Sequence, residues 1–477
     1  MQYLVLIHRW LGVVLCLLFC AWFISGIVMI YYPFPSLSEQ LRLQKTESIT
    51  TNKSLLPIHS FWSENLANPQ KITLVSVLGE PYYWWRSKDN ERVNTVHAVT
   101  GDPLMFNNEQ IVQIAQQFYP DIPIEKVQAD VEYDQWIVSN KFDSYRPFYR
   151  IEFDDKDKTS IYISSRNAKV LQKTTQSQRR WNYVGAVIHW IYPTALRKHW
   201  AAWDQLVWWL ALIGIVGAVT GIVLGVIRTI QARRTLSSFD GWLRWHHISG
   251  LVLGIVVFSW IFSGWLSMDH GRIFSKPNPT EKQLKLFQNI PTTENFKRLP
   301  SLAHVYALTN VKEIEFRVIA GNPYLVTKSA PRGNKVWTVN DQLNWHLAEN
   351  GLPIQWMREA TQIAWPNMSI NDMHYIEDND TYTNLREGKL GENVLRVILD
   401  NSANTWIHIH KQSGEVVSVM DDGRRVYRWL FNGLHSLDFP SLTSRPLLWY
   451  IVILTLLILG ALFSLTGTVL GIRRLLK

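Results

Sequence analysis

Apolar residues crowd into four stretches of the chain, each long enough to cross a bilayer, which takes about 20 residues. They run from Trp10 to Tyr32, from about Leu206 to Ile227, from Ile248 to Met268 and from Leu447 to Ile472. Between them the pattern changes. Pro81-Tyr82-Tyr83-Trp84-Trp85, Tyr149-Arg150-Ile151-Glu152-Phe153, Ser160-Ile161-Tyr162-Ile163 and Trp406-Ile407-His408-Ile409-His410 are strand-like runs, and turn residues Ser413-Gly414-Glu415 follow the last of them. A helix is predicted over Glu109–Phe118, where Ile111, Ile114, Ala115 and Phe118 share one face. The first apolar stretch is too long for a signal-peptide core. No small-residue cleavage site follows it, and Tyr31-Tyr32-Pro33-Phe34 reads as an interfacial belt. The expected fold is a membrane α-helical protein with two outer α+β domains. Its transmembrane helices cover 1–32, 206–228, 244–268 and, with a short tail, 447–477; the outer domains cover 33–205 and 269–446, and a loop covers 229–243.

Composition narrows the class. Of 477 residues, 47% are apolar and only 18% charged, against about 25% charged in soluble proteins, which excludes disorder, collagen and coiled coil. Cys16 and Cys20 are the only cysteines and lie in one apolar run, so a disulfide framework and a thiolate zinc or iron–sulfur site are excluded too. The net charge of +9 has a location. Arg228, Arg233, Arg234 and Arg244 face a lone Asp240 in the connection between the second and third spans, and the chain ends Arg473-Arg474-Leu475-Leu476-Lys477. That bias places the connection and both termini in the cytoplasm and the long connections on the other side. No nucleic-acid fingerprint accompanies it, so nucleic acid is not an expected partner; membrane lipid is.

The chain repeats itself. His8-Arg9-Trp10-Leu11-Gly12, Trp22 and Ser25-Gly26 recur as His246-His247-Ile248-Ser249-Gly250, Trp260 and Ser263-Gly264, all at an offset of 238. A second offset, 246, pairs Tyr119-Pro120 with Trp365-Pro366, Arg150 with Arg396, Asp154 with Asp400 and His189 with His435. It ends by pairing Thr220-Gly221-Ile222-Val223-Leu224-Gly225 with Thr466-Gly467-Thr468-Val469-Leu470-Gly471. Two tandem halves are expected, each with one span, a polar domain and a second span, related by a two-fold axis along the membrane normal. Gly217, Gly221, Gly225, Gly467 and Gly471 read as close helix packing. Arg150, Arg396, Asp154 and Asp400 read as strand residues of the repeated fold.

Of 14 histidines, two positions recur in both halves: His8 with His246, and His189 with His435. His247, His199 and His270 correspond to Arg9, Arg445 and Tyr32. His8 and His246 precede the first and third spans at the cytoplasmic interface. His189 and His435 precede the second and fourth at the outer one. A two-fold axis brings each residue to its counterpart, and a planar group on that axis would receive one imidazole from each side, as haem iron does. The expectation is one bis-histidine b-type haem near each face, two per chain, with iron held through His8, His246, His189 and His435. No Cys-x-x-Cys-His occurs, so c-type attachment is excluded. The alternatives are interfacial histidines that cap helices or meet lipid headgroups, and another metal. Zinc would want four ligands. His246 and His247 compete for one role, and adjacent helical residues point about 100° apart. The repeat favours His246, which keeps the His-x-x-x-Gly spacing of His8 and Gly12.

Several segments resemble the PepSY-associated transmembrane family of iron-regulated inner-membrane proteins. They are Trp245-His246-His247-Ile248-Ser249-Gly250 through Phe262-Ser263-Gly264-Trp265-Leu266-Ser267-Met268, then Tyr427-Arg428-Trp429-Leu430-Phe431-Asn432-Gly433-Leu434-His435-Ser436-Leu437-Asp438-Phe439, and His189-Trp190-Ile191-Tyr192-Pro193. The likeness covers nearly the whole chain, and regions 109–172 and 358–419 look like PepSY modules. It implies a multi-pass bacterial inner-membrane protein with periplasmic domains, and a di-haem reductase of ferric siderophores. Catalytic residues are not assigned. No Gly-x-Gly-x-x-Gly is present on a strand–helix turn, and the cytoplasmic connection is too short for a dinucleotide domain, so a quinol or a separate reductase must donate. A membrane-anchored PepSY binding or sensor module without redox activity is the second reading. A transporter is the third, opposed by the absence of Asp, Glu or Lys from the expected span interiors. Trp84, Trp85, Arg86, His374, His408 and His410 read as ordinary outer surface.

Overall fold

The computed structural model describes residues 1–476 apart from 51–52, 59–70, 87–91, 234, 275–278, 290–298, 301, 303–309, 331–332, 378–379, 387 and 391–392. Four helices are long and apolar enough to span a membrane: Gln2–Tyr31, Trp200–Ala232, Gly241–Leu266 and Pro446–Leu475. The second and fourth overrun the apolar windows at both ends, the first and third only at the N-terminal end. At 1.5 Å per residue the 33-residue second helix is about 50 Å long, against a hydrocarbon core of about 30 Å. Backbone hydrogen bonding carries the helix on through the interface, where hydropathy no longer marks it. Asp204, outside the expected second span, therefore lies inside that helix. The first helix packs chiefly on the fourth and the second on the third. Phe23, Val257, Trp260, Ile261, Trp449, Ile453 and Leu457 form their shared core.

The strands in chain order are β1 (Ile72–Val77), β2 (Glu80–Arg86), β3 (Val93–His97), β4 (Ile124–Val131), β5 (Phe148–Phe153), β6 (Ser160–Ser164), β7 (Val170–Thr174), β8 (Val311–Ile319) and β9 (Asn322–Ser329). They continue with β10 (Gly333–Val339), β11 (Trp345–Leu347), β12 (Ser369–Tyr375), β13 (Asn384–Leu385), β14 (Gly388–Lys389), β15 (Val394–Asp400), β16 (Trp406–His410) and β17 (Val416–Met420). Two four-stranded antiparallel sheets, β4-β5-β6-β7 and β12-β15-β16-β17, have matching orders. Each follows a helix that packs on it, Asn108–Phe118 and Ile354–Ala364. The first of these helices is fixed by a reciprocal cap between Asn107 and Gln110, and it buries Ile111, Ala115 and Phe118, the face its periodicity predicts.

The outer regions do not form separate bodies. β1 pairs with β8, and the result is one seven-stranded sheet in the order β11-β10-β9-β8-β1-β2-β3. About the β1–β8 pair, β8-β9-β10 mirrors β1-β2-β3, and β11 has no counterpart among the described residues. The β1–β2 and β8–β9 hairpins turn at Leu78-Gly79 and Ala320-Gly321, with positive φ at all four residues. The turns are 242 positions apart, and Thr73 lies opposite Glu315, itself 242 positions on. Both faces of this sheet are covered. Leu74, Tyr83 and Trp85 enter a core with Ile314, Phe316 and Trp337. Val75, Tyr82 and Trp84 enter the core beneath the 108–118 helix. That is why Tyr82 to Trp85 read as an unbroken apolar run, and Trp84 and Trp85 are core residues where surface was expected. His408 is fully buried as well, bonded by Arg396 Nε at 3.0 Å. Isoleucines and aromatics satisfy a two-sided sheet; a lone hydropathy average does not reveal it.

Ion pairs tie the halves together. Arg42 meets Glu313 at 2.5 Å, Lys71 meets Glu315 at 2.6 Å and Lys328 meets Glu39 at 2.6 Å. Burial alone would push the two β8 carboxyls up. For Glu313, Lys169, Arg42 and Lys328 outweigh that and hold it at about 2, against an ordinary 4.5. For Glu315, burial is outweighed by Arg317, Lys71 and Lys328, which hold it well below the carboxylate range. Both folded values are depressed, so their stabilisation is complete above the unfolded value and is lost as pH falls below it. Near-UV circular dichroism melts should show the outer region's midpoint falling steadily from about pH 4.5 to about pH 2. A flat midpoint across that interval would show that the β8 carboxylates contribute nothing.

Candidate functional site

The structure brings the four recurring histidines together as two pairs. His8, on the first span, faces His246, on the third, with ring centroids 6.3 Å apart and ring planes at 35°. His189 and His435 face each other at 6.2 Å and 69°. A metal–imidazole bond is about 2.0–2.1 Å, and a ring nitrogen sits about 1.2 Å from its centroid, so two imidazoles on opposite sides of one metal have centroids about 6.4 Å apart. Both pairs match that separation.

Every imidazole is held through Nδ1. His8 Nδ1 lies 3.2 Å from the Gly217 carbonyl and 3.4 Å from Thr220 Oγ1. His246 Nδ1 lies 2.9 Å from Thr466 Oγ1. His189 Nδ1 lies 3.1 Å from Ser25 Oγ and 3.2 Å from the Trp22 carbonyl. His435 Nδ1 lies 3.1 Å from Ser263 Oγ. Such a bond fixes ring orientation, as the outer hydrogen bond of a metal-bound histidine does. The hydroxyl partners also repeat: Ser25 and Ser263 stand 238 apart, Thr220 and Thr466 stand 246 apart. The sequence showed these residues as marks of the repeat, without their role.

The glycines beside them do more than pack helices. A Cβ at Gly221 would lie 2.7 Å from His8 Cε1, and one at Gly467 would lie 3.3 Å from His246 Cε1. At Gly26 and Gly264 the distances to His189 and His435 Cε1 are 3.7 and 3.5 Å. Gly217, Gly225 and Gly471 meet Leu11, Leu251 and Val13, and these remain plain packing positions.

Local backbone shapes the outer pair. A π-turn, Tyr183–Val187, runs up to His189, and another, Trp429–Gly433, runs up to His435. Left-handed Ile191 (φ 49°) and Leu437 (φ 50°) then stop each helix. A β-branched residue there is strained, and π-turns concentrate at functional sites. Arg428 anchors the second segment: its guanidinium meets Asp438 Oδ1 at 3.1 Å with both side chains 2% exposed.

Ser25 and Ser263 follow His8 and His246 by 17 positions on their helices, so the two pairs are separated by about 26 Å along the bundle at 1.5 Å per residue. That is close to the thickness of the hydrocarbon core. The remaining histidines stand apart from this arrangement. His247 is buried, with Nδ1 2.9 Å from Ser237 Oγ and Nε2 3.0 Å from the Gly225 carbonyl, and so it ties the connection between the second and third spans to the second span. His270 meets Asp204 at 2.6 Å and stacks on Trp208. His199 is exposed at the start of the second span. Among the described residues no group of three or more His, Cys, Asp or Glu could hold a metal, so the pairs offer a two-ligand site and not a four-ligand zinc site.

Four apolar helices with β-rich regions between them define a membrane protein with substantial extramembrane domains. The model of the PepSY-associated TM region matches residues 5–474, and the chain belongs to that family. No curated protein matches the chain.

Proposed function

We propose that the protein is an inner-membrane b-type haem protein built from two duplicated halves, and that it reduces ferric siderophores on the periplasmic side. The observation that carries this reading is the pair of histidine pairs: one imidazole from each half, metal-spanning separation, and Nδ1 held in all four. His8 and His246 would hold the inner group, and His189 and His435 the outer. Haem bound between two imidazoles supplies one-electron chemistry. The chain's own residues orient and insulate it: Ser25, Ser263, Thr220 and Thr466 set the imidazoles, and Gly221 and Gly467 give them room.

The substrate logic is chemical. A siderophore holds hard Fe3+ with oxygen ligands; one electron yields softer Fe2+, which such ligands hold less well. Iron leaves and the chelator survives. A quinol or a separate reductase supplies the electron. The arginines of the 229–243 connection and of the C-terminus keep both termini cytoplasmic, with the β-rich PepSY-like domains in the periplasm. The second reading, a PepSY binding module without redox chemistry, draws on the size of the outer region.

One experiment separates them. The purified protein should show a Soret band with sharp α and β bands on dithionite reduction, and a ferric chelate should reoxidise it. NADH alone should not reduce it. A colourless, folded preparation removes the redox reading and leaves the binding module.

A further inference from the structure

A cleft in the outer region lies between the seven-stranded sheet and the β6–β7 turn, and none of the four paired histidines lines it. Three nitrogen donors meet along it. Asn167 is 3% exposed, and its Oδ1 accepts from the Lys169 backbone N–H at 3.3 Å. Its Nδ2 is buried without a hydrogen-bond partner among the described residues. Arg42 gives Nη1 to Glu313 at 2.5 Å, while its buried Nη2 makes no hydrogen bond and stands 3.5 Å from Glu39 Oε1 in a longer ion pair. Lys169 places Nζ 5.2 Å from the centre of the Trp84 ring. Among the described residues it makes no ion pair at contact distance; Glu313 attracts it, while Arg42, Lys328 and Lys71 crowd it with like charge.

Buried donors without acceptors are costly, and natural interiors rarely keep them. Here the unpartnered Asn167 Nδ2, the loosely held Arg42 Nη2 and the Lys169 ammonium share one cleft. Two carboxylates line it, and both are engaged: Glu313 by Arg42, and Glu47 by the Gly79 backbone N–H. The opposite wall is apolar and partly open, with Val77 and Ile114 beside the buried Phe118. A phosphate alone would leave that wall unused.

We propose that this cleft binds a small aromatic carboxylate, with its oxygens on Lys169, Asn167 and Arg42 and its ring on Val77 and Ile114. Because Arg42 belongs to the first half and Glu313 to the second, the ligand sits where the halves join. The inference is independent of the haem reading and is tested without iron. Salicylate is the probe, titrated calorimetrically into the detergent-solubilised full-length protein, with acetate and inorganic phosphate as comparisons.

One saturable salicylate site is expected, at least about tenfold tighter than for either comparison anion, since a buried charge-assisted hydrogen bond contributes about 1.5–3 kcal/mol. Lys169→Gln and Asn167→Ala should each weaken it about tenfold or more, with near-UV circular dichroism showing both variants folded. If Lys169→Gln fails to fold, Asn167→Ala still decides the matter. No saturable binding, equal affinity for phosphate, or full binding by the folded variants would overturn the proposal.

Discussion

Alanine at His189 or His435 should remove the outer haem and leave the inner one, and alanine at His8 or His246 should do the reverse. Haem content should fall by about half in each case, because one axial imidazole of a bis-histidine site does not hold the group alone. A pyridine haemochrome assay with reduced-minus-oxidised spectra measures it. His247→Ala is the control. Both its ring nitrogens are engaged, by Ser237 and by Gly225, so its loss should loosen the connection between the second and third spans and keep full haem content. Ser263→Ala and Thr466→Val should retain the ligands but weaken haem retention by about 10–100-fold, the usual cost of losing the group that orients a metal-bound imidazole. Should all four histidine variants keep full haem, the pairing across the two halves is not a ligand pairing.

The second large effect lies in the outer region. Glu315 is 2% exposed and takes Lys71 at 2.6 Å and Arg317 at 2.6 Å, with Lys328 at 3.2 Å. Glu315→Ala removes the one carboxylate that these three cations share at close range. Breaking a buried pair from one side costs about 3–5 kcal/mol, because the partner charge stays desolvated. Chemical unfolding followed by near-UV circular dichroism should show a loss of that size. A change below about 1 kcal/mol, the value of an exposed pair, would mean that water reaches the cluster.

The membrane part of this molecule was legible in its sequence because bilayer crossing imposes a long, crude signal. Strand positions were legible where β-branched and aromatic residues cluster, as in β2, β5, β6 and β16. The joining of the outer regions was not. β1, Ile72–Val77, carries nothing that names its partner, and pairing choice depends on residues more than two hundred positions away. At the candidate site the histidines were legible through the repeat, which filters 14 candidates down to four. Their hydroxyl partners were visible as recurring letters, yet their role needed coordinates. A serine one position before a glycine in an apolar helix reads as packing until a ring is found against it. The π-turns before His189 and His435 left no sequence mark, since one extra residue in a helical turn does not disturb composition. Trp84, Trp85 and His408 were misread as surface because burial on both sides of a sheet resembles no simple alternation.

The seven-stranded sheet has a consequence for the chain's ancestry. Each half presents one strand edge, β1 or β8, and that edge pairs antiparallel with the matching strand of the other half. Such self-complementary contact is what a two-fold homodimer makes. A polypeptide of half this length would carry one histidine of each pair and an unpaired strand edge, so it could complete neither the sites nor the sheet by itself. Two copies would complete both. Fusion of two such copies would free each to diverge, and the cleft at Lys169 and the buried Arg428–Asp438 anchor are places where the two halves differ, with Glu415, Asn182 and Tyr192 at the matching positions.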